Sequence, residues 1–272
     1  MGAGLSGLLV AELLVIGSFT GFLAGLLGVG GGMLLVPFMT FLLTQKGFPP
    51  EHLIKMAVAT SLATICFTSL SSVRAHHARA AVRWEIVRLL APGIVVGSLL
   101  GAQLASRMPA RGLAIFFAAF VGVSATQMLL DKKPKPSRQL PGTAGMLGVG
   151  GAIGLLSALV GAGGAFLSVP FMVACNVSIR HAVGTSAALG FPIALAGTAG
   201  YVVAGAALPD MPAGTLGYLY LPALLTVSAA SVATAPLGAW AAHRLNVKQL
   251  KRVFAGLLYV LAAYMLSRGL GH

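Results

Sequence analysis

Apolar positions in this chain run almost unbroken over stretches of membrane-crossing length, and polar positions gather in short turns between them. A helix needs roughly 20 mostly apolar residues to cross a bilayer. The pattern predicts eight such helices, over Leu5–Leu27, Leu53–Val73, Ile86–Ser106, Gly112–Leu130, Thr143–Val160, Ala182–Ala206, Leu216–Ala241 and Leu250–Leu266. Two shorter runs, Met33–Leu43 and Ala165–Cys175, reach only about half a bilayer at ~1.5 Å per residue. Each follows a glycine cluster that ends the preceding helix. Helical periodicity adds little, because a buried membrane helix is apolar on most faces.

Composition fixes the solvent. The chain of 272 residues is 57% hydrophobic and 8% charged, with a mean hydropathy of +0.93; soluble domains average about 45–50% and about 25%. Its formal net charge of +13 would suggest nucleic acid in a soluble protein. Here the basic residues fall between apolar runs, where membrane proteins keep cytoplasmic loops. The expectation is an all-α polytopic membrane protein. The first apolar stretch lacks a basic n-region and continues into further membrane segments, unlike a cleavable signal. Cys66 and Cys175 show no metal-ligand spacing and read as small packing residues.

The chain repeats itself. Gly21-Phe-Leu-Ala-Gly25-Leu-Leu-Gly28-Val-Gly30-Gly31-Gly32, followed by Val36-Pro37-Phe38-Met39, returns as Gly154 through Gly161-Ala-Gly163-Gly164-Ala165, followed by Val169-Pro170-Phe171-Met172. Ala57-Val58-Ala59-Thr60-Ser61 returns as Ala182-Val183-Gly184-Thr185-Ser186, and Gly101-Ala102 with Arg107 as Gly238-Ala239 with Arg244. Residues 1–130 form a first membrane repeat and 142–272 a second, joined by the polar linker 131–141. Arg74, Arg79 and Arg83, the linker's Lys132, Lys133, Lys135 and Arg138, and Arg244, Lys248, Lys251 and Arg252 place three loops in the cytoplasm. Loop 207–215, with only Asp210, then lies outside, as do Arg107 and Arg111. Matched loops on opposite sides make the halves inverted-topology repeats, an arrangement of many secondary transporters. The Gly-broken pair opening each half then counts as two passes or a re-entrant hairpin.

The paired breaks are where chemistry is expected. Non-helical backbone at membrane depth survives only inside protein or beside a water-filled cavity. Gly28, Gly30, Gly31 and Gly32, and Gly161, Gly163 and Gly164, each open a short helix whose first turn offers free amides and the positive end of the dipole. An anion could be held there without a buried lysine or arginine. Thr60, Ser61, Thr185 and Ser186 supply hydroxyls in matched helices, and Pro37 and Pro170 sit alike in both short helices as candidate hinges or kinks. Gly28-Val-Gly30 is no dinucleotide fingerprint, since no strand precedes it and the sixth position is Met33.

Glu12 is the carboxylate inside a membrane segment and a candidate proton carrier. Its aligned position in the second half is Gly145. His76, His77 and their arginine neighbours read as a solvated face near anionic lipid. No metal, cofactor or catalytic constellation is legible, so no enzyme is expected. Gly17/Gly21/Gly25 and Gly97/Gly101 have small-residue interface spacing, which leaves a homodimer open.

The two glycine blocks with Pro37 and Pro170, and the two Ala-Val-x-Thr-Ser blocks, resemble the sulfite exporter TauE/SafE family over nearly the whole chain. Ala158 and Ala165 stand where the first copy has glycines. The resemblance implies a multi-pass permease of a bacterial or archaeal inner membrane, handling sulfite or related sulfur-containing anions with about eight membrane helices. It points to a secondary transporter working by alternating access, coupled to protons or sodium. A passive anion channel and a non-transport membrane subunit of sulfur metabolism are the alternatives.

Overall fold

The computed structural model describes residues 7–27, 31–130, 139–209, 211–242 and 247–271. Gly28, Gly30, Asp210, Arg244 and most of the linker lie outside them. The elements are α1 Gly7–Leu27, α2 Gly32–Gln45, α3 Pro50–Ala78, α4 Trp84–Arg107, α5 Ala110–Leu130, α6 Thr143–Val160, α7 Ala165–Ala174, α8 Ile179–Gly205, β1 Thr215–Leu216, β2 Leu219–Tyr220, α9 Leu221–Ala242 and α10 Val247–Leu270. Eight helices are long and apolar enough to cross a membrane; α2 and α7 are shorter. The outer faces are apolar: Val15, Val123, Val203 and Val253 are 69%, 70%, 69% and 73% exposed. A fold that met water would cover such surface, so lipid is the solvent and the chain is a multi-pass membrane protein.

Glycines set how the helices pair. Gly17, Gly21 and Gly25 of α1 meet Val227, Ser231 and Ala235 of α9 in that order, so the two run parallel. Gly93, Gly97 and Gly101 of α4 meet Leu147, Gly151 and Leu155 of α6 in the same way. In the repeat register α1 corresponds to α6 and α4 to α9, so the first helix of each half packs on the fourth of the other. The corresponding helices α3 and α8 meet antiparallel, Gly190 against Ser69 and Gly197 against Leu62. So do α5 and α10, where Gly269 lies against Ile115 and the Tyr259 hydroxyl is 2.6 Å from that of Thr126. Corresponding helices that meet antiparallel are related by a two-fold axis that reverses direction across the bundle. The halves are inverted repeats.

Two expectations change. The faces of Gly17/Gly21/Gly25 and Gly97/Gly101 are occupied within the chain, where a Cβ on Gly25 or Gly97 would overlap the Ala235 or Gly151 carbonyl. A homodimer therefore does not use them. The apolar run from Leu216 does not begin a helix: Thr215 pairs with Tyr220 and Leu216 with Leu219 in a short antiparallel ribbon, and α9 starts at Leu221. Gly214 and Gly217, at φ +84° and +56°, make the turns a helix cannot contain.

The first Gly-broken pair is a hairpin. Along α1 and α2, Glu12 reaches Lys46 at 2.6 Å, Phe19 meets the Phe38 ring edge at 5.8 Å, and Gly31 faces Thr20 and Ala24. Partners that close in order toward the break mark a chain doubling back. With 14 residues, α2 covers about 21 Å at ~1.5 Å per residue, and its first turn is buried in the bundle.

Candidate functional site

α3 is the most enclosed of the long helices, and both breaks meet its middle. Gly32 faces Ser61 and Ile65, Gly161 faces Val58, and Gly163 faces Ile65. Gly32 and Gly161 touch: a Cβ on Gly32 would overlap the Gly161 carbonyl oxygen. Gly161 and Gly164 hold φ of +71° and +78°, a conformation that only glycine adopts without strain. Gly161 ends α6 as a left-handed cap. Ser61, fully buried, donates its hydroxyl to the Gly161 carbonyl at 2.9 Å and lies 3.3 Å from the Gly32 carbonyl.

The short helices begin alike. The Gly31 carbonyl accepts from Leu34 and Leu35 amides at 3.1 and 3.0 Å, and the Gly164 carbonyl from Leu167 and Ser168 at 3.0 and 2.9 Å. The amides ahead of these bonds have no acceptor within their helix, and neither helix carries a side-chain cap. Beside the start of α2 is a small open cleft walled by α1, α2, α3 and α9. Gly31, Gly32 and Ser61 line it with Thr20, Gly21, Ala24, Leu35, Thr64, Ile65, Thr68 and Ser231. None of these carries a formal charge, so positive potential there comes from backbone amides and the helix dipole.

The matched threonines stand elsewhere. Thr60 accepts from the Tyr220 amide at 3.3 Å and Thr185 from the Arg83 amide at 3.0 Å. In the repeat register these are one bond made twice: each threonine caps the chain entering the fourth helix of the other half. Ser186 accepts from Ser168 at 2.7 Å. Pro37 and Pro170 lie inside α2 and α7, but Pro92, Pro192 and Pro236 also lie inside α4, α8 and α9. Glu12 is paired with Lys46 near the open end of the α1–α2 hairpin. His77 accepts from the Trp84 indole at 3.2 Å, and among the described residues no group of three or more His, Cys, Asp or Glu could hold a metal.

Sequence reasoning missed Thr20, Thr64, Thr68, Ser231 and Lys55. Thr60, Thr64 and Thr68 form a one-turn stripe, which a search at helical spacing would have found. Lys55, 8% exposed, donates to the Ser106 carbonyl at 2.7 Å, at the negative end of α4, and sits 5.7 Å over the Tyr218 ring. Burial and the nearby Glu51 carboxylate hold the Tyr218 hydroxyl above its usual pKa.

The sulfite exporter TauE/SafE family model matches residues 13–265. The chain belongs to that family. It is 37% identical over 254 residues to a "Probable membrane transporter protein" of Haemophilus influenzae, covering 93% of this chain and 96% of that one. A Bacillus subtilis relative described in the same words, YdhB, is 33% identical over 194 residues, 68% of this chain and 76% of its own. One from Methanocaldococcus jannaschii is 24% identical over 264 residues, 95% and 96% of the two chains. No solved structure matches. Membership and fold together make this TauE/SafE chain a membrane transporter.

Proposed function

We propose that the protein is a secondary transporter that moves a small sulfur-containing oxyanion, such as sulfite or an organosulfonate, across the inner membrane by alternating access. The observation that carries the reading is the buried, uncapped start of α2 opening into a hydroxyl-lined cleft, with Gly32 of its wall against Gly161 of the other half. The amides of Gly31 and Gly32, together with those of the break before them (Gly28 and Gly30), hold the anion. Gly161, Gly163 and Gly164 close the site from the other half, Ser61 supports it directly, and Thr60, Thr185 and Ser186 hold the surrounding helices in place. A site without a charged side chain exchanges water for amide and hydroxyl donors and releases the anion readily, as a carrier requires.

The inverted halves supply two related arrangements of the bundle, and rocking between them exposes the site to either side. Pro37 and Pro170 absorb the bend in the short helices. A proton on Glu12, or a sodium ion, couples the movement. Radiolabelled sulfite uptake into proteoliposomes tests the site. Gly31→Leu fills the cleft at a position with ordinary φ, −71°, and removes uptake while leaving the detergent elution profile unchanged. Uptake equal to wild type in the folded variant rejects the α2 site.

A further inference from the structure

Among the described residues the hydroxyl lining of the cleft is not repeated across the two-fold axis, and the geometry points to Thr20, Thr64, Thr68 and Ser231 as the oxyanion-selecting wall of one site per chain. This rests on the transport reading above. In the repeat register Thr20 corresponds to Ile153, Thr64 to Leu189, Thr68 to Ile193 and Ser231 to Ile94. The packing supports that register: Gly21 lies on Ser231 as Gly154 lies on Ile94, and Gly31 faces Thr20 as Gly164 faces Ile153.

All four apolar counterparts are buried. Ile193, Ser157 and Ile153 converge on the point a Cβ of Gly164 would take. Two lining positions run the other way, since Ala24 and Leu35 correspond to Ser157 and Ser168. Ser168 gives its proton to Ser186 at 2.7 Å, and Ser157 is enclosed with the two isoleucines at Gly164. Four hydroxyl side chains thus reach a cleft in one half, and their counterparts are hydrocarbon in the other.

The four are suited to exchange partners. Thr20 donates to the Ile16 carbonyl at 2.8 Å, Thr64 to Thr60 at 2.9 Å, and Thr68 to Thr64 at a long 3.4 Å, all within their own helix; Ser231 donates to Gly17 across to α1 at 2.9 Å. A helical carbonyl already accepts an amide, so a hydroxyl that rotates from it toward an anion leaves no backbone group unpaired. A sulfite or sulfonate has three oxygens and no donor of its own to give when ionised, so it needs donors on several sides. Isoleucine or leucine supplies none and would desolvate the anion uncompensated.

The test is the concentration dependence of radiolabelled sulfite uptake in proteoliposomes of the full chain. Thr64→Val and Ser231→Ala, which remove a hydroxyl with little change in bulk, each raise KM about tenfold with Vmax changed less. Thr64→Ser restores KM. The counterpart changes Leu189→Thr and Ile193→Thr leave KM within about twofold of wild type, a difference too small to represent a lost charged hydrogen bond. Unchanged KM in Thr64→Val and Ser231→Ala overturns the assignment while the transport reading stands. Equal KM changes on both sides of the axis overturn the single-site claim. If wild type takes up no sulfite, both the transport reading and this inference fall.

Discussion

The Ser61 hydroxyl donates to the Gly161 carbonyl across 2.9 Å, tying the central helix of one half to the glycine break of the other. Both groups are buried, so Ser61→Ala strands a carbonyl at the left-handed end of α6. A buried acceptor without its partner costs about 1–3 kcal/mol. Thermal unfolding in detergent is expected to show a lower Tm for Ser61→Ala, and Ser61→Thr, which keeps the hydroxyl, to lose less.

Thr60 and Thr185 make the same bond in each half, to the amides of Tyr220 and Arg83. Valine matches threonine in shape and removes the acceptor. Thr60→Val is expected to destabilise the protein by about 1–3 kcal/mol, the cost of an orphaned buried donor, and Thr185→Val by less, because Arg83 is exposed and water can take the place of the hydroxyl. Chemical unfolding of the two variants checks this. A larger loss from Thr185→Val than from Thr60→Val would contradict the burial of the two caps.

The parallel pairs α1–α9 and α4–α6 depend on backbone approach at Gly21, Gly25, Gly93 and Gly97. No side chain fits at Gly97, so Gly97→Val must part α4 from α6. Overpacking of this kind costs about 1–3 kcal/mol or more. Expression and monodispersity of Gly97→Val are expected to fall well below those of Gly122→Val, where a Cβ would meet nothing within 4 Å.

Glu12 and Lys46 form a partly exposed pair, with side chains 31% and 22% accessible. Such pairs contribute about 0–1 kcal/mol, so Glu12→Gln is expected to leave Tm nearly unchanged. If Glu12 carries the coupling proton, the same variant loses stimulation of sulfite uptake by an imposed proton gradient and keeps sulfite exchange. Equal stimulation in wild type and Glu12→Gln removes Glu12 from coupling.

The halves and their inversion were legible because they rest on repeated glycines and on where the arginines fall. The end of α6 at Val160 was legible because Gly161 takes a left-handed φ that other residues resist. The ribbon before α9 was not: Leu216, Tyr218, Leu219 and Tyr220 are as apolar as a helix, and Tyr218 and Tyr220 are buried in the ribbon. Thr20, Thr64, Thr68 and Ser231 look like ordinary membrane hydroxyls along the chain. Only the packing of α1 and α3 against α9 brings them to one cleft. Lys55 was hidden for a related reason, since its acceptor Ser106 belongs to another helix and no spacing links them.

Sulfite counterflow tests the central claim most directly. Proteoliposomes loaded with unlabelled sulfite and diluted into a trace of labelled sulfite, without any imposed ion gradient, are expected to accumulate label transiently above its outside concentration. An alternating-access carrier must do this, because each outward trip with unlabelled anion returns the site to collect a labelled one. Label that only equilibrates, at a rate indifferent to internal sulfite, would contradict the account and leave a passive pore in its place.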